Sequence, residues 1–194
     1  IQKGDKILIA SAYFSIYAYQ ALKEKLESID ELKFIFTSPT FFSEKSAKAS
    51  REFYIPQLNR ERSLYGTSFE LKLKNELNQK AIARECAEWI KNKVTFRTNI
   101  TEGNIASFCA IEKDEKSSIA YSPFNSFSTP DLGLTSSNNI MSFVNRIDSP
   151  QANDYIKMFN HIWDNKDILK DVTEEVIDNI SAAYKENSPE FIYY

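Results

Sequence analysis

Residues 6–37 read KILIASAYFSIYAYQALKEKLESIDELKFIFT, and their pattern sets the fold class. Residues 6–13 form a continuous apolar run of strand length, the signature of a strand buried on both faces. Ser15 is placed to cap the helix that follows. Ala18, Leu22, Leu26 and Ile29 recur at helical spacing, while Lys23, Glu24, Lys25 and Glu27 face water. Residues 32–37 make a second buried strand. Strand, amphipathic helix and strand within about 30 residues are a βαβ unit, and hence a parallel pair.

Further along the chain, residues 78–91 carry Ile82, Cys86, Trp89 and Ile90 on one helical face, with Lys80, Arg84 and Lys91 roughly opposite. Residues 94–98 alternate as a strand. Two apolar runs, 105–111 and 119–121, flank the charged turn at 113–116 and read as a hairpin, followed by a loop of Ser, Pro and Asn. Residues 140–147 read as another strand. Ser149 and Pro150 then supply an N-cap and an N1 proline for a helix over 150–163, whose stripe is Ala152, Tyr155, Ile156, Phe159, Ile162 and Trp163. Residues 171–174, Asp-Val-Thr-Glu, have a capping-box pattern and open a last helix that buries Val176, Ile180, Ala183 and Tyr184. Residues 38–77 break this regularity. A small, polar stretch at 43–50 precedes a mixture of aromatic and basic residues interrupted by Pro56 and Gly66, the composition of a nucleic-acid groove or a partner-binding arm.

The chain has 194 residues, enough for one domain that buries roughly 70% of its unfolded surface. With 42% apolar and 13% aromatic residues a packed core is expected, and global disorder is not. A net charge of −3 excludes a uniformly basic nucleic-acid binder but permits a local basic patch. No run approaches the length of a membrane span and no signal peptide is visible, which gives an expectation of a cytoplasmic protein without a membrane partner. The sequence lacks an initiator Met and ends in Pro-Glu-Phe-Ile-Tyr-Tyr, apolar to the last residue, as expected of a piece excised from a longer chain.

Few residue types here support catalysis. Cys86 and Cys109 are separated and lie in apolar periodic segments, so they read as reduced core thiols, and with a single His a zinc site is not expected. His161, among Phe159, Ile162 and Trp163, reads as a helix-surface or core-edge histidine. Ser107 has no G-x-S-x-G elbow around it. The four glycines stand singly, so no Gly-rich phosphate loop is present and no small-molecule substrate is expected. The composition itself supports one functional signal. Residues 72–97 hold Lys72, Lys74, Lys80, Arg84, Lys91, Lys93 and Arg97 against three glutamates, a local balance of +4, whereas residues 148–194 have a balance of −6. Such asymmetry can turn a basic face toward a phosphate backbone, although Lys and Arg are also ordinary on the outer face of a helix.

Residues 105–134, IASFCAIEKDEKSSIAYSPFNSFSTPDLGL, resemble in shape the catalytic hairpin of phospholipase D-like domains. That hairpin carries a His-x-Lys pair on one strand, an Asp shortly after it, and a Gly-Ser/Asn-Phe-Thr loop ending in Gly-Leu. Here Ile105 stands in the place of the His, Ser107 in that of the Lys and Glu112 in that of the Asp, although within Glu112-Lys-Asp-Glu-Lys116 the simplest reading of Glu112 is a solvated turn residue. The loop persists as Ser126-Phe127-Ser128 running on to Gly133-Leu134. Phosphodiester transfer in that family uses the imidazole as nucleophile and the Lys to neutralise phosphate oxygens, and isoleucine can do neither. The resemblance therefore implies a retained frame with no catalytic residue, whereas a residual nuclease would need a different nucleophile.

Three longer segments, KILIASAYFSIYAYQALKEKL, REFYIPQLNRERSLYGTSFELKLKNELNQKAIARECAEWI and VTEEVIDNISAAYKENSPEFIYY, resemble the N-terminal region of large bacterial superfamily-two helicases of the Swi/Snf type. In these a phospholipase D-like domain precedes the ATPase motor. The resemblance implies an α/β fold, phospholipase D-like, with a mixed, largely parallel sheet flanked by helices. It makes residues 1–194 a single, non-catalytic N-terminal domain that binds or positions DNA. Arg60, Arg62, Lys80 and Arg84 are then the expected phosphate contacts, with Ser126 and Ser128 in the loop. ATP and Mg²⁺ belong to motor domains beyond residue 194, and this fragment itself needs no cofactor. The alternative is a homodimerisation or protein-docking module of the same helicase, because family members with one motif copy commonly pair two domains to form one site.

Overall fold

The computed structural model describes residues 1–38, 76–113, 117–136 and 143–185, with backbone alone at 76–80 and 182–185. The fold is α/β. Seven strands form one mixed sheet: β1 (Lys6–Ser11), β3 (Glu31–Phe36), β4 (Val94–Asn99), β5 (Phe108–Glu112), β6 (Ile119–Ser122), β8 (Asn145–Asp148) and β9 (Leu169–Asp171), in the spatial order β8-β6-β5-β1-β3-β4-β9. A short parallel pair, β2 (Tyr13–Phe14) with β7 (Ser126–Phe127), lies apart from it. Among the described residues the helices are α1 (Ile16–Leu26), α2 (Glu76–Lys93), α3 (Gln151–Trp163) and α4 (Thr173–Lys185).

The βαβ unit forms as its pattern predicts. β1 and β3 pair in parallel with Ile9 opposite Phe34, and β3 continues in parallel to β4 with Phe34 opposite Phe96. From Ile7 onward every β1 residue is buried, because helices cover both faces of the central strands. The apolar run does not stay one strand: β1 ends at Ser11, and Tyr13–Phe14 turns away to pair with β7. Ser15 caps α1 through its Oγ, which accepts from the N–H groups of Tyr17 and Ala18.

The hairpin is present as β5 and β6, antiparallel, with Ala110 opposite Ala120. β5 also runs antiparallel to β1, and β9 antiparallel to β4, so antiparallel ladders flank the parallel centre. One core cluster joins α1, α2 and α4 to one face of the sheet through Phe14, Phe34, Phe36 and Phe96, with Cys86, Trp89, Val176 and Ile180 from the helices. Tyr19, which the helical spacing does not single out, is fully buried beneath Trp89 at 4.9 Å. Among the described residues the other face is covered by α3, through Ala152, Ile156, Phe159 and Trp163.

Three expected local details differ. The strand expected over 140–147 is β8, which begins at Asn145 and runs to Asp148; Phe143 and Val144 before it are exposed coil, and 140–142 lie outside the described residues. Ser149 does not cap α3: its hydroxyl donates to the Ser118 carbonyl at 3.1 Å, and Pro150 occupies the cap position without a side-chain bond. A partner across the hairpin takes the hydroxyl first. At 171–174 the Asp171 carboxylate accepts from the Thr173 N–H at 2.9 Å, so an Asx turn leads into α4. Thr173 then bonds both backbone groups of Phe96 and fixes the helix to β4. The stretch at 43–50 and the rest of the excursion to residue 75 lie outside the described residues, as do the side chains of Ala183 and Tyr184. Among the described residues no helix is long and apolar enough to cross a membrane.

Candidate functional site at the carboxyl edge of the sheet

The parallel strands β1, β3 and β4 end on one edge of the sheet, the edge where α/β sheets present their ligand sites. β5 is antiparallel to β1, with Phe108 opposite Ala10, so Ser107 begins the hairpin at this same edge and β6 returns to it at Ser122. Glu112 is opposite Lys6, at the far end of both strands. The hairpin therefore separates Glu112 from Ser107 by the length of β5, and the two do not share a site.

The loop after β6 folds back across the end of β1. The Phe124 N–H donates to the Ser107 carbonyl, and the Asn125 carbonyl accepts from both the Ala12 N–H and the Ser11 hydroxyl, the latter at 2.9 Å. Asn125 Oδ1 lies 3.5 Å from Ser107 Oγ. β7 then pairs with β2, the Ser15 N–H donates to the Phe127 carbonyl, and the Phe14 and Phe127 rings stack at 5.4 Å. Gly133, at φ +71°, closes the loop in a conformation that a side chain would strain, and it lets the Leu134 N–H reach the Thr129 carbonyl.

Ser126 and Ser128 are both buried. Their hydroxyl oxygens are 2.6 Å apart, and the Ser126 hydroxyl also donates to the Asp131 carboxylate. These hydroxyls face one another and Asp131, so they hold the loop's shape. Ile105, half-buried, packs against the core cluster beneath α3.

A cleft of about 240 Å³ opens between the ends of β3 and β4, lined by Thr37, Ser38, Asn99, Thr101, Glu102 and Asn104 among others. Asn99 is buried and builds its wall. Its amide donates to the carbonyls of Thr37 and Gly103, and its Oδ1 accepts from the N–H and the hydroxyl of Thr101. Hydroxyls, amides and one carboxylate can hydrogen-bond a polar ligand but include no paired nucleophile and base. Among the described residues no group of three or more His, Cys, Asp or Glu is placed to hold a metal. His161 is exposed in the last turn of α3. Cys86 is buried, and burial pushes its thiol well up. Cys109, half-buried, is pushed up to about 12 for the same reason. Protonated thiols of this kind are poor nucleophiles at neutral pH.

Among the described residues the basic run does not form a continuous face. Lys91 pairs with Glu88 at 3.9 Å, and the Lys93 ammonium donates to the Ile29 carbonyl at 2.7 Å. Arg97 turns under α3, donating to the Trp163 carbonyl with its guanidinium 4.5 Å from the centre of the Trp163 ring. Arg84 is exposed on the outer face of α2. Arg60 and Arg62, with Lys72 and Lys74, lie outside the described residues, as does the side chain of Lys80.

The sequence reading does not single out Ser11, Asn99 or Asn125, the groups that meet at this edge. Its available signal was the polar run Thr98-Asn-Ile-Thr-Glu-Gly-Asn104 directly after a strand. Nor does it mark the exposed apolar residues beside the strand ends: Tyr13 after β1, Ile100 after β4, Leu134 in the loop, and Phe143 and Val144 before β8. No protein-family model matches the chain, and no curated protein matches it.

Proposed function

We propose that this domain is a non-catalytic, phospholipase D-like module that binds or positions DNA for an ATP-dependent helicase or translocase motor in the cytoplasm. The observation that carries the reading is the hairpin's geometry. Ser107, Asn125 and the loop through Gly133 converge on the carboxyl edge, while Ile105 is absorbed into the core where a nucleophile would stand. A frame for a phosphodiester without a group to attack it is a binding device. In this reading Arg60, Arg62, Lys80 and Arg84 contact phosphates, and Ser126 and Ser128 act by holding the loop backbone. Tyr13, exposed beside that loop, offers a ring for base stacking. ATP and Mg²⁺ are bound by the motor.

The exposed apolar residues favour a second reading. Ile100, Leu134 and Val144 suit a protein-docking or homodimer surface better than a phosphate backbone. Salt separates the two readings, because phosphate contacts weaken steeply as salt rises and an apolar interface does not. Fluorescence anisotropy with labelled single- and double-stranded DNA at two salt concentrations is the test. The proposal expects salt-sensitive binding that Lys80→Glu/Arg84→Glu weakens. Absence of binding even at low salt overturns it and leaves the docking module.

A further inference from the structure

We infer that the cleft beside Asn99 receives one unpaired guanine of a bound single strand, read by Glu102 and Asn104. The inference rests on the DNA reading above and adds to it the part of the nucleic acid that this cleft admits. Asn99 itself has no group left for a ligand. Its amide is taken up by the carbonyls of Thr37 and Gly103, and its Oδ1 accepts from both donors of Thr101. The Thr101 hydroxyl in turn accepts from the Gly103 N–H. These bonds fix the 99–104 loop as a wall. Glu102 and Asn104 are exposed on it, line the cleft and make no hydrogen bond or ion pair among the described residues. Among the described residues no Lys or Arg lines the cleft, and one carboxylate does. A phosphate would meet a like charge there with no cation to hold it, so the cleft refuses the backbone and admits a base. Its volume of about 240 Å³ lies below the usual range of small-molecule pockets, about 300–1,000 Å³, and suits a fragment the size of one base.

The two open groups set the choice of base. An ionised carboxylate only accepts, whereas a side-chain amide beside it can donate. On its Watson–Crick edge guanine presents two adjacent donors, N1–H and the N2 amine, followed by the O6 acceptor. Both carboxylate oxygens of Glu102 then accept, and the Asn104 amide donates to O6. Adenine and cytosine each offer the carboxylate one exocyclic amine, and thymine a single N–H between two acceptors. That edge is open only in an unpaired base, so the ligand is a single strand. The cleft also adjoins the hairpin edge. The Thr37 N–H donates to the Ser11 carbonyl, and the Ser11 hydroxyl donates to the Asn125 carbonyl. A strand that crosses this edge can turn one base into the cleft.

The test is fluorescence anisotropy of the full 194-residue chain at low salt with short thymine oligonucleotides. Each carries one central guanine, adenine, cytosine or hypoxanthine, beside the all-thymine strand. The guanine strand is expected to bind about tenfold more tightly than the all-thymine strand. Hypoxanthine, which lacks the N2 amine, falls in between, as do adenine and cytosine. Glu102→Gln leaves one acceptor oxygen and is expected to remove the guanine preference; the side chain is exposed, so the fold is not at stake. Equal affinity for every strand, or tighter binding of another base, overturns the inference and leaves the DNA reading standing. A guanine preference that survives Glu102→Gln puts the base elsewhere and also overturns it. Absence of binding by every strand overturns the DNA reading and this inference with it.

Discussion

The outer face of α2 and the carboxyl edge of the sheet make opposite impressions in sequence and in three dimensions. α2 and the strand after it hold most of the basic run, yet Lys91, Lys93 and Arg97 are each engaged by Glu88, the Ile29 carbonyl and Trp163. The carboxyl edge has no such charge signal, yet topology gathers there Ser11, Ser107, Asn125, the Asn99 cleft and a row of exposed apolar side chains. Local charge density therefore overstates what α2 offers a ligand, because a long cation beside a packed helix end is drawn into structural use. The edge is where strands stop and backbone and side-chain groups remain to be addressed.

The largest way to break this comparison is Phe14→Ala. Phe14 is fully buried, with ring contacts to Phe34, Phe96 and Phe127 at 5.8, 5.1 and 5.4 Å, and it ties the edge loop to the core. Its truncation is expected to cost about 3–5 kcal/mol in urea unfolding. It should also loosen the 123–135 loop, seen as faster amide exchange there. An unchanged exchange pattern in the loop would separate edge from core and refute the link.

Arg97→Ala tests whether the strand cation is structural. Loss of a charged hydrogen bond to the last carbonyl of α3, together with the contact over Trp163, should cost about 2 kcal/mol. DNA affinity should stay within about twofold, since counterion release requires a phosphate contact that this guanidinium does not make. A steep affinity loss at unchanged stability would return Arg97 to the binding face. Ser126→Ala is the mildest of the three. It removes a hydroxyl that bridges Ser128 and Asp131 and is expected to cost about 1 kcal/mol, read from the shift in unfolding midpoint.

How much of this was legible follows from range. The βαβ unit, the buried face of α2 and the hairpin announce themselves by period, because their cause is local: an apolar stripe at helical spacing or an unbroken apolar strand. The fate of Arg97 is not local, since its partner Trp163 lies 66 residues away. Ser149 has the composition of a cap and is claimed by Ser118 across the hairpin. Ser126 and Ser128 suggest loop hydroxyls free for phosphate, yet a carboxylate three residues beyond Ser128 turns them inward. Asn99 looks like an ordinary turn residue, and only the juxtaposition of β3 and β4 makes it the wall of a cleft.

The central claim, that ligand contact occurs at the carboxyl edge without chemistry, is most directly tested by mapping backbone amide chemical shifts on titration with a short single-stranded oligonucleotide. The account predicts perturbations at residues 11–15, 99–107 and 122–134 and around Lys80 and Arg84 on α2, fading as salt is raised, with the oligonucleotide intact at the end. Perturbations centred on α3 and β9, or cleavage of the oligonucleotide, would contradict it.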